Sequence, residues 1–373
     1  MELVVRYGEI GTKSEPVRSR MLHTLRQRVE ERLEYENIEF ERVSRIPGRI
    51  VARKVSNDAV DRVGEMPGVS SCSPARTVKP EMDSIKEEVR KMEVADTFGV
   101  RVNTGGGQEM SSQQVEEEIG DFLSDGREVD LDDPGTWVRI DVRKDEAFIF
   151  TEQVEGPGGF PSGSEGSLAA LISGGIDSPV AAFRMMVRGA EITPIYFYNR
   201  PVAAEDHLAR FEAAVSELER FHPSRKWEYF LVDMEEINNK LKQVGKGKMI
   251  VHRRIMFGIA EKIAESEGLD GIVTGESLNQ KSSQTSQNLK TTSEAVDIPV
   301  HRPLLGSNKN HITREARRIG SFQHSKVDSA CRSIAPDDPS TSMSVDSAET
   351  LEKELDKTHL VDKAFESSER RLL

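Results

Sequence analysis

The sequence predicts a multidomain α+β and α/β protein: an α+β front half, then a doubly wound parallel sheet. Three observations carry this. Residues 1–78 alternate strand, helix, strand, strand, helix, strand. A run of almost pure Gly, Pro and Ser, GPGGFPSGSEGS at 156–167, interrupts the chain. Beyond it, short apolar runs alternate with helix-length amphipathic segments, which requires crossover connections and therefore parallel strands.

The elements follow in order. LVVRYGEI has strand character, and Val17–Leu33 has helical apolar spacing among many charges. IEFERV and RIVARKV read as two strands around the turn-forming Pro47-Gly48. A short helix over Asp58–Met66 and the stretch Val69–Val78 complete a ferredoxin-like order. From about Met82 come a helix, a strand at Phe98–Val102 and a Gly105-Gly106-Gly107 turn. Ser111–Leu123 then starts with serines placed to cap a helix. TWVRIDVRKDEAFIFTEQV alternates on both sides of a charged turn, as a hairpin does. In the second half SLAALI, ITPIYFYN, WEYFLVD and GIVTG are the strands. Ser178–Arg188, Glu205–Phe221, Ile250–Ser266 and Ile312–Ile319 are the helices. The expected boundaries are 1–58, 59–158, a linker proper at 159–167, 168–336, and an acidic tail at 337–373 expected as a surface appendage.

Composition narrows the class. Of 373 residues 36% are hydrophobic, enough for real cores. The longest apolar run, Leu168–Ile172, is far short of the ~20 residues a membrane helix needs. The start MELVVRYGEI has no secretory pattern, so a cytoplasmic protein without a membrane partner is expected. Two cysteines, Cys72 and Cys331, exclude a disulfide scaffold and a four-cysteine zinc or iron–sulfur site.

The net charge of −13 argues against a nucleic-acid partner, but it is unevenly spread. Residues 1–55 and 166–335 are each net +3, 56–165 is net −14 and 336–373 net −5. The basic residues Arg18, Arg20, Arg26, Arg28, Arg49, Arg53 and Lys54 are candidates for phosphate contact, or an ordinary solvated face. Arginine outnumbers lysine 32 to 19 and acids abound, a surface that would suit a salt-loving organism.

The strongest chemical signal is SGGIDSP, Ser173–Pro179, between the strand SLAALI and a helix. Gly174 and Gly175 allow backbone N–H groups to turn inward as an anion-binding nest, and the helix aims its positive end at the same spot. Ser173 and Ser178 add hydroxyls; Asp177 suits a magnesium ion or the orientation of phosphates. Nothing matches GxxxxGK[ST], so this is not a Walker loop. TGESLNQKSSQT (274–285) is polar at the carboxyl end of a buried strand, where ligands sit in open α/β sheets. RPLLGSNKNHI supplies Lys309 ahead of a helix, and DSACRSIAP supplies Cys331.

Strand, SGGxDS, helix resembles the PP-loop ATP pyrophosphatase group. With RYGEIGTKS near the start and EGPGGFPSG in the linker, the ordered motifs resemble the tRNA 4-thiouridine synthetase family (tRNA uracil 4-sulfurtransferase) from Met1 to about Pro336. The resemblance implies a ferredoxin-like domain, a THUMP RNA-binding domain and a PP-loop domain using ATP and Mg. The reaction implied adenylates uridine 8 of tRNA and exchanges its 4-oxygen for sulfur. Carried over residue by residue, the nucleotide contacts fall on Leu171, Ile172, Tyr196, Phe197, Arg253, Gly275 and Gln284. Tyr196 and Phe197 are equally readable as core aromatics, and Arg254 beside Arg253 as a helix-surface charge. Asp177 and Lys309 would neutralise charge as pyrophosphate leaves, and Cys331 would carry sulfur; Cys72 matches no family motif.

Two departures matter. Many members continue into a rhodanese-like domain with a second essential cysteine, and some archaeal relatives carry Cys-x-x-Cys where KMIVHRR here has Met249 and His252. The sulfur source is therefore open between a cysteine-desulfurase persulfide, another donor protein and sulfide, as is a homodimer. The alternatives are another PP-loop sulfur transfer (a different tRNA thiolation, or a sulfur-carrier protein for thiazole synthesis) and a non-catalytic tRNA-binding protein. The second departure is the segment before the THUMP helix, VNTGGGQEMSSQQ, which has only Arg101 as a nearby cation.

Overall fold

Leu3 and Val5 of the first strand face one way and Val4 the other, and all three are buried. A strand buried on both faces must be central to its sheet. The computed structural model, which describes residues 1–105, 110–201, 206–222, 227–325 and 340–373, places it so. The chain divides into two units, Met1–Pro161 and Ser162–Leu373.

In chain order the first unit begins β1 (Glu2–Arg6), α1 (Glu15–Tyr35), β2 (Arg42–Ile46), β3 (Arg49–Arg53), α2 (Ala59–Gly64) and β4 (Ser71–Val78). It continues α3 (Met82–Arg90), β5 (Thr97–Thr104), α4 (Ser112–Leu123), β6 (Glu128–Val129), β7 (Thr136–Val142), β8 (Ala147–Phe150) and β9 (Val154–Glu155). Met21, Leu22, Leu25, Val29 and Leu33 recur at helical spacing on α1 and pack with Leu3 and Val5. The order β2-β3-β1-β4 with both helices on one face is the ferredoxin-like arrangement expected. At α4 the expected serine cap is present: Ser111 and Gln114 form a reciprocal capping box.

The boundary expected at residue 58 is corrected. Ala59, Val60, Val63 and Cys72 belong to the first core, and β4 serves two sheets at once. Its Ser71–Ala75 half pairs with β1, while Arg76, Thr77 and Val78 pair with β8. One strand thus carries the ferredoxin-like sheet into the β8-β7-β5-β6 sheet, whose core includes Phe98, Val102, Ile119 and Ile140. The hairpin read from TWVRIDV and AFIF is β7 and β8.

The second unit holds β10 (Ser167–Leu171), α5 (Asp177–Val187), β11 (Glu191–Tyr198), α6 (Asp206–Glu219), β12 (Glu228–Asp233) and α7 (Glu235–Lys240). Then follow α8 (Lys248–Glu267), β13 (Gly271–Val273), α9 (Ser286–Ser293), β14 (Val300–His301) and α10 (Lys309–Arg318), and finally two helices, Val345–Leu355 and Lys357–Glu366, and β15 (Glu369–Leu372). Sheet order is β14-β13-β10-β11-β12-β15, parallel except for β15. Successive residues alternate between two cores: Leu168, Ala170 and Tyr196 on one face, Ala169, Ile195 and Phe197 on the other. The chain winds outward from β10 through β11 and β12, then crosses to β13 and β14. The switch point therefore lies between β10 and β13.

The acidic tail is not the appendage expected. Met343, Ala348, Leu355, Leu360, Val361 and Ala364 complete the core around α8, and β15 pairs antiparallel with β12. Arg254, expected as an alternative surface charge, is 2% exposed and grips Glu352 of the tail at 2.6 and 3.0 Å. The tail's apolar residues are few, but their spacing on two short helices puts them on one side. Among the described residues no helix is long and apolar enough to cross a membrane.

Where β11 ends, His252 of α8 is buried, its Nε2 3.2 Å from Asn199 Oδ1, and Asn238 donates to the Arg200 carbonyl at 3.0 Å. Burial, helped by Arg253 and Lys248, pulls the His252 imidazole down to about 4.

Two outcomes follow from this packing. Glu352→Ala leaves a guanidinium buried without its carboxylate and should cost ~3–5 kcal/mol, seen as a lower denaturant midpoint. Joint replacement by Arg254→Met and Glu352→Leu should recover most of that loss. Because unfolded histidine binds a proton near 6.5 and His252 resists it to about 4, its contribution should be intact above pH 6.5 and fade as pH falls towards 4. The full effect is roughly 3 kcal/mol, and His252→Gln should flatten that part of the stability–pH curve.

Candidate active site

β10 delivers the chain to the switch point, and Ile172 N–H still donates to Ile195 O at 3.1 Å as the strand ends. The loop Ser173–Ile176 then turns into α5. Ser178 Oγ accepts from Ser173 N–H at 2.8 Å and lies 3.1 Å from Ser173 Oγ, which takes Gly175 N–H at 3.3 Å. These bonds fix the loop from within. Gly174 and Gly175 need no left-handed backbone, and added Cβ atoms there would meet the protein only at 3.6 Å and 3.3 Å. Pro179 lies in the first turn of α5, where a missing N–H costs nothing.

Gly275, just beyond β13, has the opposite constraint. A Cβ there would lie 2.6 Å from Ser178 N and 2.7 Å from Ser178 Cα. Only glycine lets the loop after β13 rest against the first turn of α5.

Asp177 opens α5 and is held from two other segments. Lys309 Nζ lies 2.6 Å from its Oδ1, and Gln280 Nε2 donates to its Oδ2 at 3.1 Å. Lys309 begins α10, whose Asn308 cap accepts His311 N–H at 2.9 Å. The helix is fixed by Arg184 of α5, which binds Glu315 at 2.8 and 3.0 Å and the Pro303 carbonyl at 2.9 Å. The loops after β13 and β14 are laced together by Leu278 N–H to Leu305 O at 3.1 Å and Ser277 Oγ to Ser307 O at 3.1 Å.

Behind Gly275 lies a charged cluster the sequence did not reveal. Glu276, 3% exposed, has Arg253 Nη1 2.7 Å from Oε1, while Arg302 Nε and Thr274 Oγ1 donate to Oε2 at 2.7 and 3.1 Å. Burial acts to raise the Glu276 carboxyl, but the two guanidiniums and Thr274 outweigh it and hold it below the usual range. Gln284 is 6% exposed and, among the described residues, its Oε1 has no hydrogen-bond partner.

The structure thus brings together Ser173, Gly174, Gly175, Asp177, Ser178, Gly275 and Lys309, with Arg253 joined to Gly275's neighbour. The side chains of Tyr196 and Phe197 are each 5% exposed and belong to opposite cores, Tyr196 stacked on Phe211 at 4.6 Å. Leu171 is half-buried against the second core. Cys331, with the whole DSACRSIAP motif, lies outside the described residues. Sequence reasoning missed Glu276, Arg302 and Gln280, although TGES and SLNQ were singled out as polar. Among the described residues no three acids or histidines gather as a metal site.

Most basic residues of the first unit are engaged by neighbouring acids. Arg49 binds buried Asp141 at 2.7 and 3.0 Å, Arg53 binds Glu146 at 2.6 Å, and Lys54 binds Glu41 at 2.8 Å. Arg18, Arg26 and Arg28 pair along α1 with Glu15, Glu30 and Glu31. Those helix pairs are exchangeable; the Arg49–Asp141 fork, desolvated and bidentate, is structural. Arg20 lines an open groove with His23 and Arg45. On the THUMP-like sheet Arg101 and Arg139 lie over the Trp137 ring at 5.0 and 5.5 Å, a cation–aromatic row that offers stacking rather than bulk charge.

Comparison with known proteins agrees in order and extent. Family models match as the ThiI ferredoxin-like domain over residues 2–73, the THUMP domain over 80–152 and "Thiamine biosynthesis protein (ThiI)" over 163–357. The last covers the first helix of the tail. The chain is 38% identical to the probable tRNA sulfurtransferase of Halobacterium salinarum, over 92% of this chain and 91% of that one. It is 33% identical to the probable tRNA sulfurtransferase of Thermococcus kodakarensis, over 87% and 89%. A crystal structure described as a 4-thiouridine synthetase–RNA complex with bound ATP matches with a TM-score of 0.85 at 29% identity, covering 100% of this chain and 99% of that one. With three consecutive domain matches and relatives aligned nearly end to end, the chain belongs to the tRNA sulfurtransferase (ThiI) family.

Proposed function

We propose that this protein is an ATP-dependent tRNA sulfurtransferase that adenylates uridine 8 and replaces its 4-oxygen with sulfur, giving 4-thiouridine. The observation that carries this reading is the convergence of the Ser173–Ser178 loop, Asp177, Lys309 and Gly275 at the switch point of a parallel sheet. The residues fit a nucleotide. Gly174 and Gly175 put no side chain over the loop, and among the described residues the buried Gln284 Oε1 has no hydrogen-bond partner while Arg253 Nη1 is held only by its ion pair with Glu276.

A uracil carbonyl oxygen leaves poorly, so activation must come first. The O4 atom attacks the α-phosphorus, and pyrophosphate departs carrying negative charge. Backbone N–H groups of the loop and the start of α5 would hold the phosphates. Lys309, already beside the loop, would accompany the departing charge. Magnesium, where it binds, supplies further charge neutralisation. Asp177 is the carboxylate it would meet, in competition with Lys309.

Sulfur then adds at C4, and AMP leaves with the original oxygen. Cys331 is the sulfur carrier we propose, as a persulfide charged by a cysteine desulfurase or another donor protein; free sulfide, already at the oxidation level of the product, would bypass Cys331 and attack the activated C4 directly. Resetting the cysteine requires a second thiol or a reductant, and Cys72 does not serve. It is buried, its Sγ donates to Val60 O at 3.2 Å, and burial pushes its thiol up to about 12.

A second reading is favoured by the name of the matching family model, thiamine biosynthesis: sulfur transfer to a carrier protein for thiazole. Nucleoside mass spectrometry of tRNA from a deletion strain decides between them; unchanged 4-thiouridine would sink the tRNA reading.

Asp177→Ala should bind tRNA as before but lose AMP formation by ~10²–10³-fold, measured as pyrophosphate released per tRNA. Cys331→Ser should still activate tRNA with ATP yet make no 4-thiouridine when the donor is a protein persulfide, followed by nucleoside chromatography.

A further inference from the structure

Resting on that reading, we propose that Glu276 is a positioning residue for the adenylation step: its carboxylate aims Arg253 at the nucleotide and ties that aim to the phosphate loop. Four observations lead there.

Arg302 is held by two side chains and a ring within the protein. Its Nε donates to Glu276 Oε2 at 2.7 Å, its Nη2 reaches Thr292 Oγ1 at 3.4 Å, and its guanidinium lies 5.9 Å from the Phe257 ring. It therefore anchors Glu276 rather than serving a ligand. Arg253 is different. Its Nη1 sits 2.7 Å from Glu276 Oε1 as an ion pair but out of line for a hydrogen bond, and among the described residues that Nη1 has no hydrogen-bond acceptor. Attraction fixes the guanidinium's place while leaving an N–H to be accepted by something else.

The charges do not balance within the cluster. Two guanidiniums face one carboxylate, so one positive charge is left for an anion. Burial opposes ionisation of Glu276, and the arginines reverse that effect, so the acid is charged at neutral pH. Finally, the placement is coupled to the loop. Glu276 follows Gly275, whose backbone rests on Ser178, and Thr274 on the other side binds the same carboxylate at 3.1 Å. A shift of the phosphate loop must move Gly275 and with it the group that holds Arg253. The same carboxylate tempers the attraction of Arg253 for polyphosphate, so tight binding alone is not what it provides.

This separates positioning from binding or folding. In the full-length protein, ATP affinity is measured by calorimetry and turnover by pyrophosphate release with tRNA. Glu276→Gln should leave ATP affinity within ~3-fold, since a lost contact is offset by a lost negative charge, and lower turnover at least ~10-fold. Arg253→Ala should weaken ATP binding about 10-fold in the native background but only ~2-fold beside Glu276→Gln. Glu276→Asp keeps the charge but shortens its reach, so it should fold normally and still turn over slowly. Wild-type turnover in Glu276→Asp, or losses from Arg253→Ala that are equal in both backgrounds, would overturn the proposal. If the native chain released no pyrophosphate with tRNA, the function would be wrong, while the coupling in ATP affinity would still test Glu276.

Discussion

The approach of Gly275 to the first turn of α5 is the contact on which the site depends. It sets how near the loop after β13 can lie to the loop after β10, and a Cβ would meet backbone, which cannot rotate away. From that contact the other placements follow. Gln280 reaches Asp177 from the same loop, and Glu276 is turned inward between two arginines. The loop after β14 is then laced alongside, which brings α10 and Lys309 to Asp177. A parallel sheet leaves a crevice at its switch point by topology; closing that crevice to working dimensions takes a residue without a side chain.

Charge in this protein is local rather than global. The total of −13 describes a surface, yet most of the described cations in the first unit, and Lys309 at the site, face an acid. The pairs along α1 are weak and exchangeable, and the Arg101–Trp137–Arg139 row sets an aromatic ring between two cations, so neither forms a uniform basic field. Exchange of this kind is sensitive to ionic strength, so the salt at which affinity is measured is part of the result.

Much of this was legible in the sequence, for definite reasons. SGGIDSP announced itself because glycines, serines and an aspartate between a strand and a helix have few other uses, and the strands of both halves carried clean alternation. What escaped depended on partners distant in the chain. Glu276 meets arginines 23 residues before it and 26 after it, and nothing in TGES shows that its carboxylate turns inward. Arg254 seemed a surface charge because its acid, Glu352, is 98 residues away in a tail whose composition is that of an appendage. The break at residue 58 failed because β4 changes partner halfway along, a choice made by register and not by composition.

The pairing of cations with acids at the site has a chemical consequence. Lys309 rests on Asp177, and Arg253 shares Glu276 with Arg302, so before nucleotide binds, all but one of these positive charges is already compensated. Leaving them bare would be costly in partly buried positions, and it would attract any polyanion indiscriminately. A ligand must instead outcompete carboxylates fixed by geometry, which favours one presenting phosphate oxygens at several points together over a single free anion. The two pairs also differ in exposure. Lys309 is 46% exposed and free to follow a departing group, whereas the Glu276 side chain is 4% exposed and locked between fixed partners. The mobile pair suits charge that moves during the reaction, and the buried pair suits charge that must stay in place.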